Sequence, residues 1–210
     1  MKISKVALAL VTALATSGCG GSGGGEPVQD IFEFLGFDDQ MFLEYDVDVG
    51  GFTQSGQLQA LGIDPGYGED ARKVELRQNG ILIDTLWYRL AEDGLYLLAQ
   101  QTVSGQEVVQ RTFLTPVKLV PNPIEVDGKP VTGWSTTSEL EQGGSETHRI
   151  DNLGAESIDV PAGQFQAYHL VQRVTAGGTT TTLEYYFSPG NWYVSFQRPE
   201  GAEWKLSAVQ

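Results

Sequence analysis

Residues 43–49 are Leu43-Glu44-Tyr45-Asp46-Val47-Asp48-Val49, a stretch in which apolar and acidic side chains alternate without exception. Successive side chains of a β-strand point to opposite faces, so this pattern predicts a strand with one buried face and one solvated face. The pair Gly50-Gly51 follows and predicts a tight turn. The stretch therefore indicates the first strand of an antiparallel sheet.

Short strand-like segments separated by turn residues continue to the C-terminus. Asn79-Gly80 is the strongest two-residue hairpin signal, and Gly177-Gly178 predicts a similar turn. No segment keeps a 3.6-residue periodicity for more than two turns, so the fold class is all-β. The predicted strands are 52–63, 71–78, 81–90, 95–103, 108–114, 134–141, 146–160, 165–174, 179–187, 192–198 and 204–209.

The middle of the chain is rich in proline. Pro116, Pro121, Pro123 and Pro130 each lack the N–H that a sheet ladder needs. Residues 115–133 are therefore predicted to connect the two halves across the sheet.

Three segments carry a resemblance to a family: 116–134, 160–167 and 185–194, the second being Val160-Pro161-Ala162-Gly163-Gln164-Phe165-Gln166-Ala167. In this order they resemble bacterial envelope proteins and lipoproteins with a domain of unknown function, including pilus-associated members, over roughly 115–198. The third segment departs from the pattern at Asn191-Trp192. The resemblance implies a twisted antiparallel sheet curled into an open half-barrel or β-roll with little helix, like the lipoprotein carriers. It implies no reaction and no catalytic residue.

Residues 1–18 have the features of a secretory signal peptide. Lys2 and Lys5 precede a short apolar run, 6–15, which is too short to span a bilayer as a helix. Cys19, the only cysteine, follows small residues and resembles the lipidated cysteine of a bacterial lipobox, although Thr16 replaces the usual leucine. The alternative is ordinary cleavage that leaves a free thiol. We expect a lipid on Cys19 to hold the protein on a membrane.

Residues 19–30 are predicted to be a flexible glycine-rich tether, and 31–210 a single all-β domain. The segment 20–24 matches the hydrolase pattern G-x-S-x-G, but a tether lacks the strand and helix that this motif requires. An apolar patch at 31–42 is interpreted as the first core element or, alternatively, as a contact with the membrane interface or a partner.

The predicted mature chain is strongly acidic. Of 13 Lys and Arg, two leave with the signal peptide, so 11 remain against 27 Asp and Glu, a net charge of −16. Such a surface repels nucleic acid and anionic lipid head groups. Solubility or a saline habitat explains the charge, with divalent-cation binding as the alternative.

The residues that could perform chemistry do not form a recognisable catalytic or metal motif. His148 and His169 are the only histidines; their pairing across strands is open, and isolated strand histidines are the simpler interpretation. Asp64, Glu69 and Asp70 could bind calcium but lack EF-hand spacing. We therefore predict no catalytic residue, no metal site and no cofactor.

Aromatic residues accumulate near the C-terminus. They are interpreted as core side chains or, alternatively, as the lining of a ligand groove: Tyr185, Phe187, Trp192, Phe196 and Trp204.

Together these features predict a non-enzymatic envelope lipoprotein that binds a protein partner or supports assembly. The alternatives are a carrier of a lipophilic ligand and, with less support, a hydrolase with a dispersed site. Gly20 replaces the aspartate that retains lipoproteins at the inner membrane, so the expected address is the outer membrane, facing the periplasm.

Lipidation at Cys19 predicts that cells grown with labelled palmitate will incorporate the label into this chain. Cys19→Ser removes the acceptor thiol and should abolish labelling, as seen by gel fluorography after immunoprecipitation. An unlabelled wild-type chain would show that signal cleavage is of the ordinary kind.

Overall fold

The protein was analysed as a computed structural model that describes residues 41–209. The predicted signal peptide, Cys19, the tether and residues 31–40 of the apolar patch lie outside this range. The strands are β1 (Phe42–Val49), β2 (Phe52–Ile63), β3 (Arg72–Gln78), β4 (Ile81–Ala91), β5 (Gly94–Ser104), β6 (Glu107–Pro121), β7 (Glu125–Val126), β8 (Lys129–Pro130), β9 (Trp134–Glu139), β10 (Ser145–Val160), β11 (Gly163–Ala176), β12 (Thr179–Ser188), β13 (Trp192–Gln197) and β14 (Glu203–Val209).

Twelve of these strands form one antiparallel sheet in the order β6-β5-β4-β3-β2-β1-β14-β13-β12-β11-β10-β9, and β7 pairs with β8 separately. The first and last strands of the described chain are neighbours in the middle of the sheet, where Val47 pairs with Trp204. The sheet curls into a barrel that is nearly closed and has one open seam. The predicted all-β class and curled antiparallel sheet are confirmed.

The seam lies between the two edge strands, β6 and β9. A single backbone bridge joins Phe113 to Leu140 there. Side chains of β9 replace the missing ladder: Ser138 Oγ accepts from the Thr115 N–H at 3.1 Å, and Trp134 Nε1 donates to the Lys118 carbonyl at 2.8 Å. The edges are thus covered without a continuous strand pairing.

The connection predicted over 115–133 is wrong for residues 115–121, which belong to β6. Pro116 is tolerated because β6 is an edge strand and its pairing with β5 is irregular there, with Leu97 opposite Val117 but Ala99 opposite Thr112. The connection is limited to 122–133.

The strands alternate in direction, so the turns collect at the two ends of the barrel. The open end carries the turns near residues 50, 79, 105, 142, 177 and 200, and the closed end carries the others. Segment 122–133 lies at the closed end, where the fully buried Ile124 belongs to the main core. Its carbonyl accepts from Val131 N and from Asn152 Nδ2.

Aromatic side chains fill much of the interior. Trp204, Trp192 and Phe187 are almost completely buried, and the ring of Phe196 stacks on Trp204 with centroids 5.3 Å apart. A small second cluster lies on the outer face, where Tyr67 covers Trp87 with ring centroids 4.2 Å apart. Fully burying such large apolar groups contributes ~1.5–3 kcal/mol each.

Gly56 gives a test of interior packing. An added Cβ would lie 2.5 Å from Trp204 and 2.6 Å from Val47. The backbone of Gly56 has a conformation that other residues can also adopt. Gly56→Ala should therefore lower the free energy of unfolding by about 1–3 kcal/mol, despite the gain of ~0.5–1 kcal/mol expected from removing glycine from a strand. Chemical denaturation measures the change. Gln57→Ala on the opposite face should change stability by less than ~0.5 kcal/mol, and equal losses would contradict the proposed crowding.

Candidate functional site

A cavity of about 470 Å³ lies inside the barrel at its open end. At roughly 30 Å³ per water molecule, it has room for about 15 waters and is not a packing defect. Its volume falls in the ~300–1,000 Å³ range of small-molecule sites. Interior side chains fill the closed end, so the cavity has a floor as well as a mouth.

Three leucines line the wall formed by the first half of the chain, beside the polar Asp84, Gln100 and Thr102. Leu58, Leu76 and Leu86 occupy inward positions of β2, β3 and β4 and line the cavity. The floor is aromatic and consists of Tyr88, Trp192, Tyr193 and Phe196. These surfaces suit an apolar body.

The opposite wall carries a chain of polar side chains on β10, β11 and β12. Tyr185 OH donates to Gln172 Oε1 at 2.8 Å, and Gln172 Nε2 lies 2.9 Å from His148 Nδ1. His148 Nε2 lies 3.2 Å from Glu146 Oε2, and Glu146 Oε1 lies 3.2 Å from Arg111 Nε. Gln172, His148 and Glu146 are buried.

The orientation of the Gln172 amide determines the tautomer of His148. Because the amide oxygen accepts from Tyr185, the amide N–H group faces His148 Nδ1, which must accept. The neutral ring that this contact favours carries its proton on Nε2. Nε2 is buried, and Glu146 Oε2 lies 3.2 Å from it.

Glu146 is ionised in this environment. The contact with His148 and the charge of Arg111 lower the pKa of its carboxyl, and together they outweigh the opposing effect of burial. The carboxylate therefore keeps its charge inside the cavity at neutral pH.

A second polar group lies across the mouth. Arg198, in the turn after β13, forms an ion pair with the buried Asp84 of β4 and a second one with Glu200. Asp84 Oδ1 also accepts from Thr102 Oγ1 at 2.7 Å and from Gln100 Nε2 at 3.3 Å. Arg198 thereby fastens the β13–β14 turn to the opposite wall.

The aromatic residues proposed for a ligand groove divide into two groups. Tyr185, Trp192 and Phe196 line the cavity. Phe187 and Trp204 do not line it and are fully buried in the core.

The two histidines are far apart in the sheet. His148 points inward and pairs in register with Val174, whereas His169 pairs with Tyr186. His169 stacks on the Tyr186 ring and lies 3.3–3.4 Å from Glu184 and Glu156. A His148–His169 pair is therefore excluded.

The acidic loop after β2 has a structural role at Asp64. Its carboxylate accepts from Gly66 N at 3.1 Å and from Trp87 Nε1 at 2.9 Å, holding the loop over the outer cluster. Among residues 41–209, no group of three or more His, Cys, Asp and Glu side chains is arranged to hold a metal ion. Within the same residues, no helix is long and apolar enough to cross a membrane.

Sequence reasoning missed most of the polar cavity residues. The alternation along the strands assigns three of them to interior positions: Asp84, Glu146 and Gln172. A polar residue at an interior strand position was the signal that could have identified them. Arg198 gave no such signal, because it lies in a turn.

Comparisons with known proteins find two similar folds. No family model and no curated protein matches the chain. A candidate lipoprotein from Parabacteroides distasonis aligns over 84% of this chain and 98% of its own, with 13% identity and a TM-score of 0.43. The hypothetical lipoprotein YmcC of Escherichia coli aligns over 80% of this chain and 84% of its own, with 12% identity and a TM-score of 0.41. Similarities of this size say nothing about function, and the resemblance of residues 115–198 to envelope proteins stays a prediction.

The ion pair across the mouth predicts a large stability effect. Arg198→Met leaves Asp84 buried without a counter-charge and should lower the free energy of unfolding by about 3 kcal/mol. Adding Asp84→Asn should restore much of the loss, as measured by urea denaturation. The exposed Lys205–Glu203 pair is the control, because Lys205→Met should cost less than ~1 kcal/mol. Equal losses in Arg198→Met and Lys205→Met would contradict a special role for Arg198.

Proposed function

We propose that this chain is a lipid-anchored protein of the bacterial cell envelope that binds a small amphipathic molecule without catalysis. The observation that supports this proposal is the cavity of about 470 Å³, whose lining combines leucines and aromatic rings with buried hydrogen-bonding groups. A filled interior would have favoured a scaffold. The mixed lining favours a ligand that is partly polar rather than a bare hydrocarbon.

The anchor is supported by the N-terminal sequence. A signal-like segment ends at Cys19, and an acidic domain of net charge −16 has little electrostatic attraction to a membrane surface. A lipid on Cys19 would supply the attachment that the surface does not. Gly20 supports an outer-membrane address facing the periplasm.

The end of the barrel at which the described residues begin supports access to the cavity. The Met41 carbonyl accepts from Ala60 N, close to the end of β2 at the closed end. The described chain therefore begins at the end opposite the mouth. An anchor reached from that end would leave the mouth facing the periplasm.

The absence of catalysis is supported by how the cavity carboxylates are held. Asp84 is paired with Arg198, and the pKa of Glu146 is lowered by His148 and Arg111. A general acid works best with a pKa near the operating pH, and the surroundings of Glu146 move its pKa in the opposite direction.

A protein partner is the second candidate, and one surface favours it. Phe52 and Ile81 are 75% and 69% exposed on neighbouring turns at the open end. The Asn79 N–H donates to the Ser55 carbonyl, which holds these two turns together. Exposed apolar residues that cluster at one place are typical of contact sites.

Cavity blocking tests the ligand proposal. Thr181 lines the cavity, and the adjacent Thr182 is exposed on the outer face. Native mass spectrometry of the full lipidated chain, released from two nonionic detergents of different mass, should show a discrete bound molecule in the wild type. Thr181→Trp should reduce its occupancy at least tenfold, because the indole fills the cavity, while Thr182→Trp should retain it. Bare protein in all three samples, or detergent as the only bound species, would contradict the proposal.

A further inference from the structure

The turn between β13 and β14, residues 198–202, lies at the mouth of the cavity. Arg198, Pro199 and Glu200 of this turn belong to the cavity lining. Arg198 forms an ion pair with Asp84 on β4, although β3, β2, β1 and β14 lie between β4 and β13 in the sheet. The ion pair therefore joins two opposite walls across the mouth instead of two neighbouring strands.

The wall of the barrel steps down beside this turn. The ladder between β12 and β13 ends at the pair of Tyr185 and Phe196, whereas β12 begins six residues earlier, at Thr179, where it is paired with β11 alone. This extension of β12 lines the cavity with Thr179, Thr181 and Leu183. Within residues 41–209 no strand pairs with the extension on the β13 side, so the turn closes the cavity at this place.

The turn is held down mainly by its ion pair. Pro199, Glu200 and Gly201 are exposed, so they bury no apolar side chain that would fasten the turn. Ala202 is buried in the main core and fixes the end of the turn next to β14, while the Gly201 N–H donates to the Arg198 carbonyl at 2.9 Å. Segments with few buried apolar contacts open locally at a small cost in free energy.

Both members of the ion pair keep other partners when it opens. Glu200 lies in the same turn as Arg198 and pairs with it, so this carboxylate moves together with the guanidinium group. On the opposite wall, Asp84 Oδ1 accepts from Thr102 Oγ1 at 2.7 Å and from Gln100 Nε2 at 3.3 Å. Opening exposes each charge to water without removing its remaining partners, so the ion pair can break and form again.

We propose that the β13–β14 turn is a lid, that the ion pair between Arg198 and Asp84 holds it closed, and that small molecules enter and leave the cavity when this pair opens. Leu58 agrees with a closed lid, because it lines the cavity but is only 2% exposed. The inference rests on the proposed ligand-binding function, since a lid serves a cavity whose contents exchange.

Thiol labelling measures passage into the cavity without any ligand. Cys19 is the only cysteine of the sequence, and a lipid on it leaves no free thiol, so Leu58→Cys places one reactive group in the full lipidated chain. Its reaction with N-ethylmaleimide, followed by mass spectrometry, should be at least tenfold faster when Asp84→Asn and Arg198→Met are added together. This double change keeps the net charge and leaves no buried charge unpaired. The chain without Leu58→Cys gives the background.

Three controls separate lid opening from other effects. Leu170 is buried in the main core and does not line the cavity, so Leu170→Cys should stay unreactive with and without the ion pair. Thr182→Cys, on the outer face, should react equally fast in both cases. Combining Glu203→Gln with Lys205→Met removes an exposed ion pair on β14, close to the turn, and should leave the rate at Leu58→Cys unchanged.

Four results would overturn the lid. The rate at Leu58→Cys could be the same with and without the ion pair, or already as high as at Thr182→Cys. A parallel rise at Leu170→Cys would assign the labelling to unfolding, and an equal rise with Glu203→Gln and Lys205→Met would show that the Arg198 pair is not special. None of these rates depends on a bound ligand, whereas bare protein in the cavity-blocking experiment would contradict ligand binding alone.

Discussion

Twelve strands enclose an interior that is wider than the side chains of this chain can fill. This width explains both the packed closed end and the cavity at the open end. Barrel diameter grows with strand number, and about eight strands already leave a space that side chains just fill. Here the closed end is filled by large rings such as Trp192 and by Ile124 from the connecting segment. The remaining volume stays at the open end as the cavity.

The groups that shape the cavity also hold the rolled sheet together. Arg198 links the β13–β14 turn to Asp84 on β4, 114 residues away along the chain. Arg111 and Glu146 link β6 to β10 beyond the seam, where only one backbone bridge joins the edges. A buried charge is tolerated only with a partner of opposite charge. Each ion pair therefore holds two segments that are distant along the chain at a fixed distance from each other. The lining is therefore pre-organised by the same interactions that keep the sheet curled.

Most strands could be predicted from local pattern, because period two and turn residues are local properties. The segment 43–49 and the Asn79-Gly80 hairpin were found where the structure has them. Residues 115–121 were missed because proline usually ends a strand, and only the edge position and irregular pairing of β6 make Pro116 acceptable. The aromatic cluster was recognised, but its division into cavity lining (Tyr185) and core (Trp204) was not.

The sequence by itself determined an all-β chain of alternating strands, because each side chain's face follows from its neighbours along the strand. Only the tertiary structure decided what each face meets. Glu44 and Asp46 lie on the outer face, whereas Asp84 and Glu146 occupy inward positions, although all four are acids on strands. Which face becomes concave, how wide the rolled sheet is, and which arginine reaches which carboxylate depend on pairings between residues far apart in the chain, and local alternation carries no information about them.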